Sequence, residues 1–174
     1  MRFKTKLIFL IIFLILTTKS FSKENIAYVD MEKIMNNSIA GKQLSEKLNK
    51  ENNLNINFFK KKEDELRSKE KKLISQQNIL DKSELEKQLK ELQIEANKYR
   101  NEKNKRINDL NLKKINATKK LLENITPILS EFANKNSISI LMQKKDIVIG
   151  KTELDKTNDI LKLVNKKIKK IDFD

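Results

Sequence analysis

Between Gly41 and Gly150 the chain contains no glycine, and its only proline is Pro127. These two residue types are the strongest helix breakers, glycine because its backbone is unconstrained and proline because it lacks a donor and clashes with the preceding turn. The stretch of about 90 residues from Gly41 to Asn136 therefore reads as very long helices. Aromatic residues make up 6% of the chain and the mean hydropathy is -0.63, so apolar residues are too sparse to fill a globule of 174 residues. Their spacing is nonetheless too regular for a disordered tail. The chain must fold back on itself to bury them.

The apolar positions show where it folds. Phe59, Leu66, Leu73 and Leu80 recur every seven residues, but the companion positions Glu63, Glu70 and Gln77 are polar, so the seam is apolar on one side only. Asp81 and Ser83 can accept the orphan N–H groups of a helix start, and Ser83 with Glu86 fits a capping box, which puts the hairpin tip here. Leu85, Leu89, Leu92, Ala96 and Tyr99 start the returning helix as a heptad. Tyr99, Leu110, Leu121 and Phe132 then recur every eleven residues, a period that favours a nearly straight arrangement. Folding about residue 81 sets Leu73 opposite Leu89, Leu66 opposite Ala96 and Leu48 opposite Lys114. An ascending arm of about 36 residues would reach roughly 50 Å. Phe58, Ile74, Ile79, Ile94, Ile107 and Leu112 lie off the seam, where they offer scattered apolar contacts to a partner.

The two ends read differently. Ile26 to Val29 is a short β-branched run that predicts a strand, and Met31, Ile34, Met35 and Ile39 predict a short helix that kinks or ends at Gly41. Ile138, Ile140 and Met142 alternate with Ser139 and Leu141, Lys144 to Asp146 form a polar turn, and Ile147 to Gly150 form a second run. That pattern predicts a β-hairpin. A closing helix, capped by Asp155 or Thr157, carries Ile160, Leu161, Val164 and Ile168 as its buried stripe. The β-containing part and its flanking helices, residues 23–42 and 133–174, are too small to stand on one core without disulfides or metal, and the chain has neither Cys nor His. Ile26, Tyr28, Val29, Ile138, Ile140, Ile147 and Ile149 are therefore expected to find shelter between copies of the chain, with residues 43–132 projecting as a hairpin arm.

Charge and chemistry narrow the function. The chain carries 38 Lys and Arg against 24 Asp and Glu, a formal charge of +14, and 34 of those cations are Lys. The absence of Cys and His excludes disulfide scaffolds, Cys/His zinc sites and His-based catalysis, and no Gly-rich phosphate loop is present. No nucleophile and base pair can be assembled, and neither cofactor nor metal is expected. Arg2, Lys4 and Lys6 precede the apolar run Leu7 to Leu16, and Ser20 and Ser22 supply small residues, so residues 1–22 predict a secretory signal. A retained anchor is the alternative, though the run is shorter than the ~20 residues a spanning helix needs. Export argues against a nucleic-acid partner for the cationic chain.

Taken together, Ile26-Ala27-Tyr28-Val29-Asp30 followed by Met31 to Lys42, the long charged hairpin, Ile138 to Met142 and the closing Asp155 to Ile168 helix resemble the Skp/OmpH family of periplasmic chaperones. The resemblance implies a mainly α fold with a small β part, a homotrimer in which an intersubunit β-barrel body carries three helical arms around a cavity. It implies that unfolded outer-membrane β-barrel proteins are held in that cationic cavity without ATP, in the periplasm, until membrane insertion. It also implies an approach of basic arm surfaces to anionic lipid or lipopolysaccharide. Lys60, Lys61, Lys62, Arg67, Lys69, Lys71, Lys72, Lys98 and Arg100 are the basic arm residues here, interspersed with Glu63, Asp64, Glu65 and Glu70. Two other functions fit the residues themselves: a structural coiled-coil adaptor of the cell envelope, and an exported basic protein that coats anionic envelope polymers.

Overall fold

The structure, a computed structural model, describes residues 25–171; the expected signal over residues 1–22 lies outside them. Strand β1 (Asn25–Val29) leads into helix α1 (Met31–Asn37), which is capped by the Asp30 carboxylate accepting the Lys33 N–H at 2.8 Å. The extended backbone of Ser38 ends α1 and starts α2 (Ile39–Gln76), and its hydroxyl accepts the Gly41 N–H at 3.1 Å. The break thus falls at Ser38 rather than at Gly41. Gly41 sits in the first turn of α2, and what it supplies is room: a Cβ there would lie 1.7 Å from the carbonyl oxygen of Met35.

Helix α2 has 38 residues and α3 (Lys82–Lys135) has 54, so at 1.5 Å per residue they extend ~57 and ~81 Å. Asp81 caps α3, accepting the Glu84 N–H and the Ser83 hydroxyl, each at 2.9 Å. Ser83 therefore donates to the cap and does not form the expected capping box with Glu86. The pairing predicted by a fold at residue 81 is present, since Lys69 meets Glu95, Glu63 meets Tyr99, and Glu51 meets Lys113.

At the end of α3, Ser137 takes a left-handed conformation (φ 52) and turns the chain into β2 (Ile138–Gln143). β2 pairs in parallel with β1, Ile26 against Ile140 and Val29 against Gln143. A parallel pair needs a long crossover, and here the entire helical hairpin provides it. The predicted hairpin of β2 with Ile147 to Gly150 does not form. A 3-10 turn over Lys144–Asp146 diverts the chain, and the following loop is pinned to β1: Gly150 lies against the Tyr28 ring, and the Tyr28 hydroxyl donates to the Lys151 carbonyl at 3.3 Å. Lys156 then donates its N–H to the Tyr28 carbonyl, so the chain's own 155–156 segment occupies the second edge of β1. Residues 147–149 therefore pair with neither strand, and Val148 is 99% exposed.

The closing helix α4 (Thr157–Lys167) starts where the Asp155 carboxylate accepts the Thr157 N–H at 3.0 Å, and the Thr157 hydroxyl in turn accepts the Asp30 N–H at 2.8 Å, joining the two ends of the chain. Val29, Ile34, Leu44, Ala117, Leu121, Ile125, Ile128, Ile160, Val164 and Ile168 make one core. It draws on the feet of both long helices as well as on the chain ends, so the compact base is larger than residues 23–42 and 133–174. Tyr28 and Val29 are buried within the single chain and need no second copy for shelter. Ile138 and Ile147 are half-buried, while Ile26, Ile140 and Ile149 remain exposed.

Glu131 braces this base from α3. Its carboxylate accepts Lys135 at 2.8 Å and Lys167 of α4, and these two ammonium groups hold its pKa down from 4.5 to about 2. A depressed acid contributes stability that is complete above its ordinary pKa and lost as pH falls through the folded value. Urea midpoints of the parent chain should therefore fall more steeply between about pH 4.5 and 2 than those of Glu131→Gln. Parallel curves for the two proteins would show that the brace carries no stability.

Candidate functional site

Beyond the base, the arm has almost no core. Leu73 is buried, but between Leu48 and Leu73 no residue of α2 is, because the positions facing α3 include Glu51, Asn55, Glu63 and Lys62. Leu89, expected in the seam opposite Leu73, is half out of it at 50% exposure. The arms are joined instead by exposed ion pairs, Lys69 with Glu95 at 2.6 Å, Lys103 with Glu63 at 2.7 Å and Lys113 with Glu51 at 3.0 Å. Such pairs add little to stability, because water and salt screen them.

One cluster at mid-arm is more elaborate. Glu63, a polar flaw in the heptad by sequence, accepts both the Tyr99 hydroxyl and the Lys103 ammonium. Lys103 holds the Glu63 carboxyl below the usual carboxylate range, and the Glu63 carboxylate raises Lys103 in turn; burial pushes the Tyr99 phenol up, and Glu63 adds to that. The Lys103 ammonium also lies 5.3 Å from the Phe59 ring centre and 5.7 Å from that of Tyr99. Next to it, the Arg106 guanidinium stacks on Phe58 at 4.0 Å and is held by Glu102 at 2.9 Å and Asn55 at 3.4 Å. Phe58 is consequently half-buried and already engaged, unlike the other off-seam residues.

Those others are exposed: Ile74, Ile94 and Leu112 each at 58%, Ile107 less and Ile79 at the tip more. The structure adds Leu54, Ile56, Ile115 and Leu122, which no heptad or eleven-residue period had singled out. Their common signal was failure to fit either period. Among the basic arm residues, Lys62 pairs with Glu65, Lys69 with Glu95, and Arg100 donates to Asn97, while Lys60, Lys61, Arg67, Lys71, Lys72 and Lys98 stand exposed on the helix faces. The arm therefore presents isolated apolar side chains dispersed among cations, on two helices held together loosely. Among the described residues no helix is long and apolar enough to cross a membrane.

Comparison with known proteins agrees with this architecture. A Skp-like protein from Chlamydia pneumoniae is 26% identical over 170 residues, an alignment spanning 95% of this chain and 98% of the relative. The crystal structure of an OmpH-like protein from Caulobacter crescentus superposes with a TM-score of 0.81 at 16% identity, over 88% of this chain and 90% of that one. It shares the fold, mainly helical with long helices and a small strand part. Residues 25–164 match the family described as outer membrane protein (OmpH-like), and the chain belongs to that family.

Proposed function

We propose that this chain is an ATP-independent periplasmic holdase, which binds unfolded outer-membrane β-barrel proteins and keeps them soluble for membrane insertion. The observation that carries this reading is the arm surface: separate apolar side chains, among them Leu54, Ile74, Ile94 and Leu112, set among lysines on helices that lack a continuous core. Membrane β-barrel precursors have short, alternating apolar segments with no large hydrophobic face. Many weak contacts match such a client better than one deep pocket does. The excess of cations adds a long-range attraction that fixes no conformation. Family membership and the signal-like residues 1–22 support the periplasmic location.

The working form in this reading is a homotrimer. Ile26, Ile140 and Ile149 join those of sister copies in a shared β-barrel body, and the arms enclose the cavity. The exposed Lys60, Lys61, Lys71 and Lys72 would hold anionic lipid or lipopolysaccharide. An envelope adaptor would instead need a tightly packed seam, which the polar residues between Leu48 and Leu73 do not provide.

The test dilutes a urea-unfolded membrane β-barrel protein into buffer with and without the chain and measures what stays soluble. Protection is expected at stoichiometric trimer, and its absence would remove the reading. Client affinity should also fall several-fold as salt rises from about 50 to about 500 mM, because the Debye length shrinks to a few Å. Binding insensitive to salt would leave the cations without a part in it.

A further inference from the structure

Immediately below the mid-arm cluster, α2 and α3 part to form an open cleft of about 510 Å³. Its upper wall is Arg106, its rim carries Leu54 and Leu112, and Lys113 lines its lower side. The guanidinium carbon of Arg106 lies over the Phe58 ring, 4.0 Å from its centre, and Arg106 lines the cleft whereas Phe58 does not. Glu102 and Asn55 take the N–H groups at its edge. A planar cation thus stands between a ring and the apolar-rimmed space it lines.

The charge of the cleft indicates what does not belong there. Lys113 is neutralised by Glu51 at 3.0 Å, and Asp109 stands beside Arg106 on the lining, so two cations face two anions in a chain whose formal charge is +14. An anionic occupant would gain no net attraction there. A neutral group with an apolar body and a π face gains on both counts, since its edge meets Leu54 and Leu112 and its face covers the guanidinium. A cation over a ring is worth roughly two- to thirtyfold in affinity, more as water is excluded. The same arm already uses this pairing next door, where Lys103 sits over Phe59 and Tyr99.

We propose that the cleft is an aromatic-recognition subsite, in which an aromatic side chain of an extended polypeptide completes a ring, guanidinium, ring sandwich with Phe58 and Arg106. This rests on the holdase reading and deepens it. Transmembrane β-barrel strands carry aromatic girdles at both membrane interfaces, so the subsite would select the ends of such strands over other alternating sequences.

The chain has no tryptophan, so the fluorescence of a Trp-containing peptide reports binding without background. The full chain is titrated with a neutral extended peptide carrying Trp between Ser and Thr residues, and bound peptide is then competed with the same peptide carrying Leu in place of Trp. A blue shift on binding is expected, with the Leu peptide competing about three- to tenfold more weakly. Arg106→Met should weaken the Trp peptide by a similar factor, whereas Lys120→Met, the same loss of charge at an exposed position of α3, should leave it unchanged. Leu112→Ser, which leaves the stack with Phe58 in place, should also weaken it and covers the case in which Arg106→Met disturbs the arm. Equal competition by the Leu peptide, equal weakening by the Arg106 and Lys120 variants, or no emission shift would each overturn the subsite. Any of these with protection of an unfolded β-barrel client intact would leave the holdase reading standing; loss of protection by the parent chain would fall on that reading alone.

Discussion

Replacing Gly41 with alanine is expected to melt the base of the molecule about 6–12 °C below the parent chain, corresponding to roughly 3 kcal/mol or more for a protein of this size. The cause is steric. The added methyl would sit 1.7 Å from the Met35 carbonyl oxygen and 2.8 Å from its carbon, both backbone atoms of α1 that no rotamer change can move aside. Relief requires α1 to shift off α2. That movement strains the Ser38 cap, whose hydroxyl receives the Gly41 N–H, and it pulls on Ile34 and Ala40, which are fully buried on either side of the junction. Helix propensity works in the opposite direction, since alanine inside a helix is favoured over glycine by ~1 kcal/mol, so a net loss isolates the clash. Thermal circular dichroism at one fixed protein concentration reads the result. Lys42→Ala, at an exposed neighbouring position, is the control and should stay within about 0.5 kcal/mol of the parent. If the two variants melt together, the junction can relax and the close approach is not required.

Gly41 also shows what a sequence can and cannot reveal here. Its position marked a discontinuity, and one exists, but the pattern alone could not separate a glycine that ends a helix from one that admits a neighbouring backbone. The hairpin was easier to read, because the absence of breakers, the seven-residue spacing and the Asp81 cap are all local. Failures came where the outcome depended on distant chain. Ile147 to Ile149 has strand composition and β2 has an open edge, but the turn over Lys144–Asp146 and the docking of Gly150 and Lys151 on Tyr28 carry the segment away from that edge. Glu63 looked like a defect in a zipper because a heptad scores only apolarity. Its partners Tyr99 and Lys103 lie 36 and 40 residues away. The cleft beside Arg106 has no local signature, since its lining joins residues 51–55 of α2 to residues 106–116 of α3.

If the chain assembles as proposed, a double charge substitution, Ile140→Glu with Ile149→Glu, is expected to leave single chains of about 20 kDa for the full sequence, with helix content nearly unchanged. Ile140 lies at 48% exposure on the two-stranded sheet, and Ile149 at 92% in the loop whose next residues dock on Tyr28 of β1. A two-stranded sheet with one face in water is marginal by itself, and β2 still has an unpaired outer edge that invites another strand. Burying either isoleucine between copies would gain about 1.5–3 kcal/mol, whereas burying an unpaired carboxylate there opposes association by at least as much. The helices would survive, because the core they share, with Leu121, Ile125, Ile160 and Val164 almost wholly enclosed, lies inside one chain. Light scattering at micromolar concentration, with circular dichroism alongside, reads both quantities. A parent chain that is already monomeric and folded would remove the need for sister copies. A variant that remains assembled would move the interface away from the β face, and the cavity between arms would have to be built some other way.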